Sequence, residues 1–294
     1  MALPFFEKMR MDKKSLSARK AKLGGSEINI IASGIADGAD VKVNNLYLEK
    51  TDQKEPDDLT LIWPVIMGHI TEMVNLEWTE HYLQTTINMR QQVIEGKKHP
   101  FMRCTLDGVI ENYKNKIAVI DAKFTLGRPT KDEAWGDVIP RLVRYYAPQL
   151  HWNAYLLQEY LDKPVEYGLL SFIRGGDKPI LEEVKIDTGY QEELIELGRY
   201  FMNCVELGFE PNELPTMTDF VPEADLVPVD MESDERWRSF ALQIIQTSGA
   251  NKIFKESSDK IKKLVPPNAS EATGHGVKIK VQRNGSKRLE ICKD

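Results

Sequence analysis

The stretch Lys116–Phe124 reads Lys-Ile-Ala-Val-Ile-Asp-Ala-Lys-Phe, and it constrains the fold more than any other part of the chain. Its β-branched, alternating character marks a strand. Successive side chains of a strand point to opposite faces, so Asp121 and Lys123 share one side while Ile120 and Ala122 share the other. A carboxylate and an ammonium on an otherwise apolar strand are costly unless they are paired or used. Arg103–Glu111 reads as a second strand, joined to the first through the turn Asn112-Tyr113-Lys114-Asn115. With that turn centred on Lys114, residues whose numbers sum to 228 face each other, which sets Asp107 opposite Asp121. Directly opposed Cβ atoms lie roughly 4.5–5.5 Å apart, so two like charges there destabilise the sheet. A hard divalent cation removes the penalty, because it takes carboxylate oxygens.

The rest of the pattern places this hairpin among helices. The first 25 residues read as a basic amphipathic helix ending at Gly24-Gly25, and Ser26 as the N-cap of a helix from Glu27 to about Ser33. Gly34–Asp40 and Thr51–Asp58 read as loops. Trp63 to about Glu95 is helical in pattern, with Ile66, Ile70, Val74 and Trp78 at a spacing of four as its apolar stripe. Asp137–Leu161 returns to helix, interrupted at Pro140 and Pro148. Val165–Ile173 and Ile180–Ile186 read as a hairpin across Gly175-Gly176-Asp177, and Tyr190–Leu207 as a helix closed by Gly208. Asn212–Pro228 reads as a linker or ordered loop, Ser233–Leu264 as largely helical, and Val277–Cys292 as a hairpin around Asn284-Gly285. Helices alternating with strand pairs make the class α/β or α+β.

At 294 residues the chain is one large domain, or one plus an appendage. Its longest stretch free of Asp, Glu, Lys and Arg is Tyr145–Gln158, shorter than the roughly 18 apolar residues of a membrane span. Met1–Phe6 runs at once into Glu7, Lys8 and Arg10, so no signal peptide is expected. Cys104, Cys204 and Cys292 stand far apart, which fits a reducing cytoplasm and excludes a four-cysteine iron–sulfur cluster. The net charge of −6 is unevenly spread. Residues 1–25, 96–131 and 252–294 carry net charges of +5, +5 and +6, so the remainder carries −22. That asymmetry suits a protein with a basic groove and acidic outer faces.

Five short motifs then occur in order over roughly residues 15–160. They are Arg19 with Gly24-Gly25-Ser26, Gly68 with Glu72, Thr105-x-Asp107-Gly108, Asp121-x-Lys123, and Tyr146-x-x-Gln149. Together they resemble the PD-(D/E)XK nucleases, and most of all the branch of lambda exonuclease and the YqaJ-like viral recombinases. The sequence departs from the nearest members of that branch at Asp121, where they carry Glu, and at Thr105, where they carry Ser.

The resemblance implies a restriction-endonuclease-like core, a central mixed β-sheet flanked by helices, over residues 1–210. Residues 211–294 would add a linker, a helix and a basic hairpin packed on that core. It implies that Asp107, Asp121 and the Ala122 carbonyl hold Mg²⁺ or Mn²⁺, with Glu72 completing the metal site directly or through water. Lys123 would orient or activate the attacking water, with Gln149 and Tyr146 supporting it and the scissile phosphate. Arg19 and Ser26 would hold a terminal 5′-phosphate, and Thr105 belongs to the substrate-binding set. The implied activity is phage-type recombination: digestion of the 5′-ended strand of linear double-stranded DNA, leaving 3′ overhangs for a single-strand annealing protein. Members of the branch often form a trimeric ring, and a phage-encoded enzyme would work in the cytoplasm of a bacterial host. The rival readings are a resolvase-like or restriction-like endonuclease, a non-catalytic DNA-binding protein on the same fold and, more remotely, a metal hydrolase acting on another substrate. His151, Trp135 and Trp152 are expected in the core rather than as ligands or base-stacking rings. The basic residues Lys278, Lys280, Arg283, Lys287 and Arg288 either extend a DNA path or form a solvated hairpin.

Overall fold

A computed structural model describes residues 19–37, 40–129, 134–212, 214–215, 217, 220, 227–246, 251–282 and 286–292. The reading of a helix over the first 18 residues, and the position of Arg283, lie outside them. Chain contacts divide the protein into two units, Met1–Met217 and Thr218–Asp294.

The first unit is a mixed sheet with helices on both faces. Helices α1 (Gly25–Asp37), α2 (Asp40–Lys50) and α3 (Trp63–Leu83) come first. They are followed by strands β1 (Gln92–Glu95), β2 (Arg103–Leu106), β3 (Gly108–Tyr113) and β4 (Lys116–Thr125). A short 3₁₀ turn at Trp135–Asp137 leads into α4 (Val138–Leu161). Strands β5 (Tyr167–Arg174) and β6 (Ile180–Lys185) and helix α5 (Thr188–Leu207) complete the unit. The main sheet runs β3-β4-β5-β6, with β4 antiparallel to β3 and parallel to β5. The expected central mixed sheet flanked by helices is therefore present, and β4 lies inside it.

The two faces of β4 divide by residue parity. Ala118, Ile120 and Ala122 pack with Leu76 of α3 and with Ile87 and Ile110. On that side the buried Asn75 donates to the Ser171 carbonyl at 2.8 Å, and Thr79 and Ser171 pair their hydroxyls at 3.2 Å. The other side carries Val119, Asp121 and Lys123, with Leu170 and Phe172 beside them on β5, and α4 covers it.

Several elements differ from the sequence reading. The helix expected over Trp63–Glu95 stops at Leu83, where Gln84 adopts a left-handed backbone, and its last residues form β1. The expected stripe fails as well: Ile70 and Val74 are about half exposed, while Asn75, Leu76 and Thr79 are buried. A strict spacing of four advances by about 40° around a 3.6-residue helix at every step, so such a stripe turns away from a flat sheet. The Pro148 interruption does not break α4, which runs unbroken from 138 to 161. Ser26 is the second residue of α1 rather than its cap. Gly24 precedes the helix, and Glu27 reaches back to accept the Gly24 N–H at 2.8 Å, half of a capping box. Trp152 is buried as expected and donates its indole N–H to the Arg103 carbonyl at 3.0 Å. Trp135 is 62% exposed, against expectation.

In the second unit, β7 (Val227–Asp230), β8 (Ala269–Gly274), β9 (Val277–Val281) and β10 (Lys287–Ile291) form a sheet in the order β10-β9-β8-β7. Helices α6 (Glu235–Gln246) and α7 (Asn251–Leu264) pack on each other. Trp237, Ile244, Ile261, Ala272 and Ile279 form the unit's own core. Of the hairpin's cations, Lys278 pairs with Glu271 at 2.8 Å and Lys280 with Glu290 at 3.1 Å. No helix among the described residues is long and apolar enough to cross a membrane.

His151 lies wholly inside the first unit, edge-on to Tyr190, with its Nδ1 2.8 Å from the Ala147 carbonyl. Burial pushes its imidazole down to about 4, against backbone hydrogen bonds from Ala147 and Lys185 that raise it. The unfolded chain therefore takes up this proton near pH 6.5 and the folded chain only near 4. Stability from this group is full above pH 6.5 and is lost as pH falls toward 4, by roughly 3 kcal/mol. Urea unfolding between pH 7 and pH 4 should show that slope, and a His151→Gln variant should lose most of it.

Candidate active site

The charged side chains of β4 are answered by α4 and by the turn between β2 and β3. Asp121 is 1% exposed. Its Oδ1 accepts from the Gln149 side chain at 2.9 Å, and its Oδ2 lies 2.6 Å from the Lys123 ammonium. That second contact is an ion pair without hydrogen-bond alignment at the oxygen. Lys123 also donates to the Gln149 carbonyl oxygen at 3.2 Å, and its ammonium stands 4.8 Å from the centre of the Tyr146 ring. One Gln149 amide thus bonds the carboxylate and the ammonium together. Burial works to lower the Lys123 pKa, but the Asp121 and Asp107 carboxylates outweigh it and hold the group above its ordinary value. Lys123 is accordingly an ammonium at neutral pH, a donor and counter-charge rather than a base.

Asp107 sits at the bend between β2 and β3, and its Oδ2 accepts the Ala122 N–H at 2.8 Å. The hairpin register explains this contact. Gly108 pairs with Ile120, Val109 with Val119 and Ile110 with Ala118, the sums of 228 expected from the sequence. The turn itself is Lys114-Asn115, both with positive φ, so Tyr113 pairs with Lys116 and an irregularity after Ile110 restores the register. Gly108 is required by close approach, since a Cβ there would lie 2.1 Å from the Ile87 side chain. Burial first, then the Asp121 charge, pushes the Asp107 carboxyl well above the usual range, with Glu72 adding to the push.

Glu72 lies on α3, which covers the opposite face of β4, and its carboxylate meets the Gln91 side chain. It acts on Asp107 through space. Among the described residues no group of three His, Cys, Asp or Glu stands close enough to hold a metal ion by itself. Mg²⁺ commonly takes one or two carboxylates and fills its octahedron with water and substrate oxygens. Asp107, Asp121 and the Ala122 carbonyl fit that requirement by their chemistry. Two crowded carboxylates, one with a raised pKa and only one lysine between them, lack the counter-charge a divalent cation brings.

Two residues that the sequence reading did not single out hold this site. Asn29 of α1 is buried, accepts the Gln149 backbone N–H at 2.7 Å and donates to the Gln149 side chain at 3.3 Å. Nothing in a single sequence distinguishes such an asparagine. Gly25 permits the approach, because a Cβ there would lie 2.5 Å from Asn153 Oδ1 and 3.2 Å from the Gln149 side chain. Glu27 is the other. It is buried, and its carboxylate takes Arg19 Nε at 3.1 Å and the buried Lys50 ammonium at 2.9 Å. Lys50 further donates to the Arg19 and Lys22 carbonyls, both at 2.8 Å.

Of the sequence-derived residues, Asp107, Asp121, Ala122, Lys123, Tyr146 and Gln149 therefore meet at one place. Arg19 and the exposed Ser26 flank Glu27 at the start of α1, the helix that carries Asn29. Thr105 is exposed on β2, opposite Val93.

Residues 15–156 match the family model described as the YqaJ-like viral recombinase domain. That stretch, just under half of the chain, holds Asp107, Asp121, Lys123, Tyr146 and Gln149. Among solved structures, an alkaline exonuclease from Laribacter hongkongensis is similar at 11% identity and a TM-score of 0.49, over 67% of this chain and 94% of that one. A phage-related exonuclease from Haemophilus somnus 129PT is similar at 12% identity and a TM-score of 0.45, over 64% of this chain and 96% of that one. No curated protein matches the chain.

Replacing Asn29 by Ala leaves the Gln149 N–H without its acceptor, at about 1–3 kcal/mol. Thermal unfolding should register that loss. Nuclease activity should fall in Asn29→Ala and Gln149→Ala, and the double variant should be less impaired than the two losses combined.

Proposed function

We propose that the protein is a divalent-metal-dependent exonuclease that digests the 5′-ended strand of linear double-stranded DNA and leaves 3′ single-stranded overhangs. The observation that carries this reading is the convergence of Asp107, Asp121, Lys123 and Gln149 within one hydrogen-bonded and ion-paired group. The match of residues 15–156 to the YqaJ-like viral recombinase domain supports it.

Asp107, Asp121 and the Ala122 carbonyl would hold Mg²⁺ or Mn²⁺, with Glu72 adding negative charge from the far side of β4. The ion, when bound, lowers the pKa of water and offsets charge on the phosphate. Lys123 would donate to a phosphate oxygen, and Gln149 would keep its ammonium aimed while Tyr146 closes one side of it. Arg19 and Ser26 would receive the 5′-phosphate at the start of α1, where the first backbone N–H groups of a helix favour an anion. Thr105 would lie along the same substrate path. A free 3′ strand is the natural substrate for a single-strand annealing partner, and a ring of three copies would suit processive digestion.

The direct test incubates the protein and Mg²⁺ with linear duplex phosphorylated at one 5′ end, beside a covalently closed circle. Loss of the phosphorylated strand with the circle intact is expected. Nicking of the circle would replace this reading with the endonuclease one. Lys123→Ala should lower the rate by roughly 10²–10³-fold, the scale for removing a charge-stabilising donor. Asp107→Ala and Asp121→Ala should abolish cleavage. Arg19→Ala should impair phosphorylated ends more than hydroxyl ends, and an equal loss on both would remove Arg19 from the phosphate site.

A further inference from the structure

Trp135 is large, aromatic and exposed, and the catalytic proposal leaves it without a role. Its position follows from the sheet. Lys123 pairs with Phe172 and Thr125 with Arg174 across the parallel strands β4 and β5. Paired residues of parallel neighbours share a face, so Arg174 emerges on the same side as Asp121, Lys123 and Phe172. That is the face covered by α4, because the Tyr146 ring lies 6.1 Å from Phe172 and 4.8 Å from the Lys123 ammonium. Arg174 is two residues beyond Phe172, roughly 7 Å further along the strand. Its guanidinium stands 5.7 Å from the centre of the Trp135 ring. It also pairs with Asp177 at 3.3 Å, which steadies its orientation.

The ring therefore stands at the carboxyl-terminal end of the two parallel strands, on the face of the site. Ligands of open α/β sheets gather at that end. Tyr145 adds a second exposed ring, packed edge-on against Tyr146 at 4.9 Å, and so continues the aromatic path outward from Lys123. Arg141, exposed four residues earlier, lies on the same side of α4. Exposed aromatic rings interleaved with arginines are the chemistry that holds single-stranded nucleic acid, with rings for base faces and cations for phosphates.

We propose that Trp135, backed by Arg174, is a stacking platform for one nucleobase of the strand whose phosphate enters the Asp121–Lys123 site. The proposal rests on the nuclease reading of that site. The platform holds a base that has left the duplex, next to the bond to be cut. It fixes how far the strand advances and has no preference among bases, because every base has a π face.

The test measures binding without cleavage. Anisotropy of a labelled single-stranded oligonucleotide is followed in EDTA for the wild-type chain, Trp135→Ala and Trp135→Phe. A parallel set of oligonucleotides carries one abasic site at successive positions. Trp135→Ala should bind roughly five- to hundredfold more weakly, and Trp135→Phe should recover most of the loss. One abasic position should weaken the wild type yet leave Trp135→Ala unchanged. The proposal is overturned if Trp135→Ala binds within twofold of the wild type, if every abasic position weakens both proteins alike, or if the wild type does not bind. A protein that degrades linear duplex without any Trp135 dependence keeps the nuclease reading and loses the platform. One that binds through Trp135 but degrades nothing loses the nuclease reading, and with it the placement of the platform beside a bond to be cut.

Discussion

Asp121 is a carboxylate on an inner strand of the main sheet, and most of the first unit is arranged to answer it. A charge in that position is tolerated only with a counter-charge and hydrogen bonds in place. Lys123 supplies the first from the same face of the same strand, and Gln149 supplies the second from α4. Gln149 is in turn fixed at backbone and side chain by Asn29 of α1. Glycine at position 25 lets the start of α1 come close enough for that bond. One buried oxygen pair thus sets the spacing of a strand and two helices. A further buried ion pair, Glu27 with Lys50, ties α1 to α2 and to the backbone at Arg19 and Lys22.

The parity of β4 separates two jobs. Even-numbered residues make an apolar seam with α3, and odd-numbered residues carry the chemistry beneath α4. Glu72 stands on α3, and among the described residues it does not join the two aspartates in a cluster close enough to hold a metal ion. Its influence crosses by charge alone, and Asp107 at the bend between β2 and β3 is the group that feels it.

The register of the hairpin was legible because it is arithmetic. A turn near Lys114 and a period of two bring Asp107 to Asp121, and the irregularity after Ile110 corrects a turn that lies half a residue later than expected. Strand and helix identities for β3 to β6, α4 and α5 followed from period and punctuation. The misreadings share a cause: burial is decided by partners that a single chain segment does not reveal. Spacing alone predicts an apolar stripe on α3 that the sheet does not use: it takes Leu76 by apolar packing and Asn75 and Thr79 because Ser171 offers hydrogen bonds there. β1 carries too little periodic signal in its four residues to separate from the preceding helical pattern, and its pairing with β2 is what defines it. Asn29 and the exposed Trp135 carry no motif, and only the fold gives them neighbours.

Charge shows the same limit from the other side. The basic excess in the first and third positive segments suits a basic groove, yet several of its described cations are paired locally. Lys20 pairs with Asp52, Lys22 with Glu95, Lys278 with Glu271 and Lys280 with Glu290. Pairs of this kind at the surface contribute little stability, but they remove cations from the set that faces a polyanion. A chain of net charge −6 attracts DNA only where its positive charge is concentrated and its acids are engaged. Around the α4 face the arginines stand beside exposed aromatic rings, and the acids of the site are those a metal ion would occupy. Under the proposed nuclease reading, binding of DNA and binding of the ion would be coupled there by electrostatics, since each would offset charge that opposes the other.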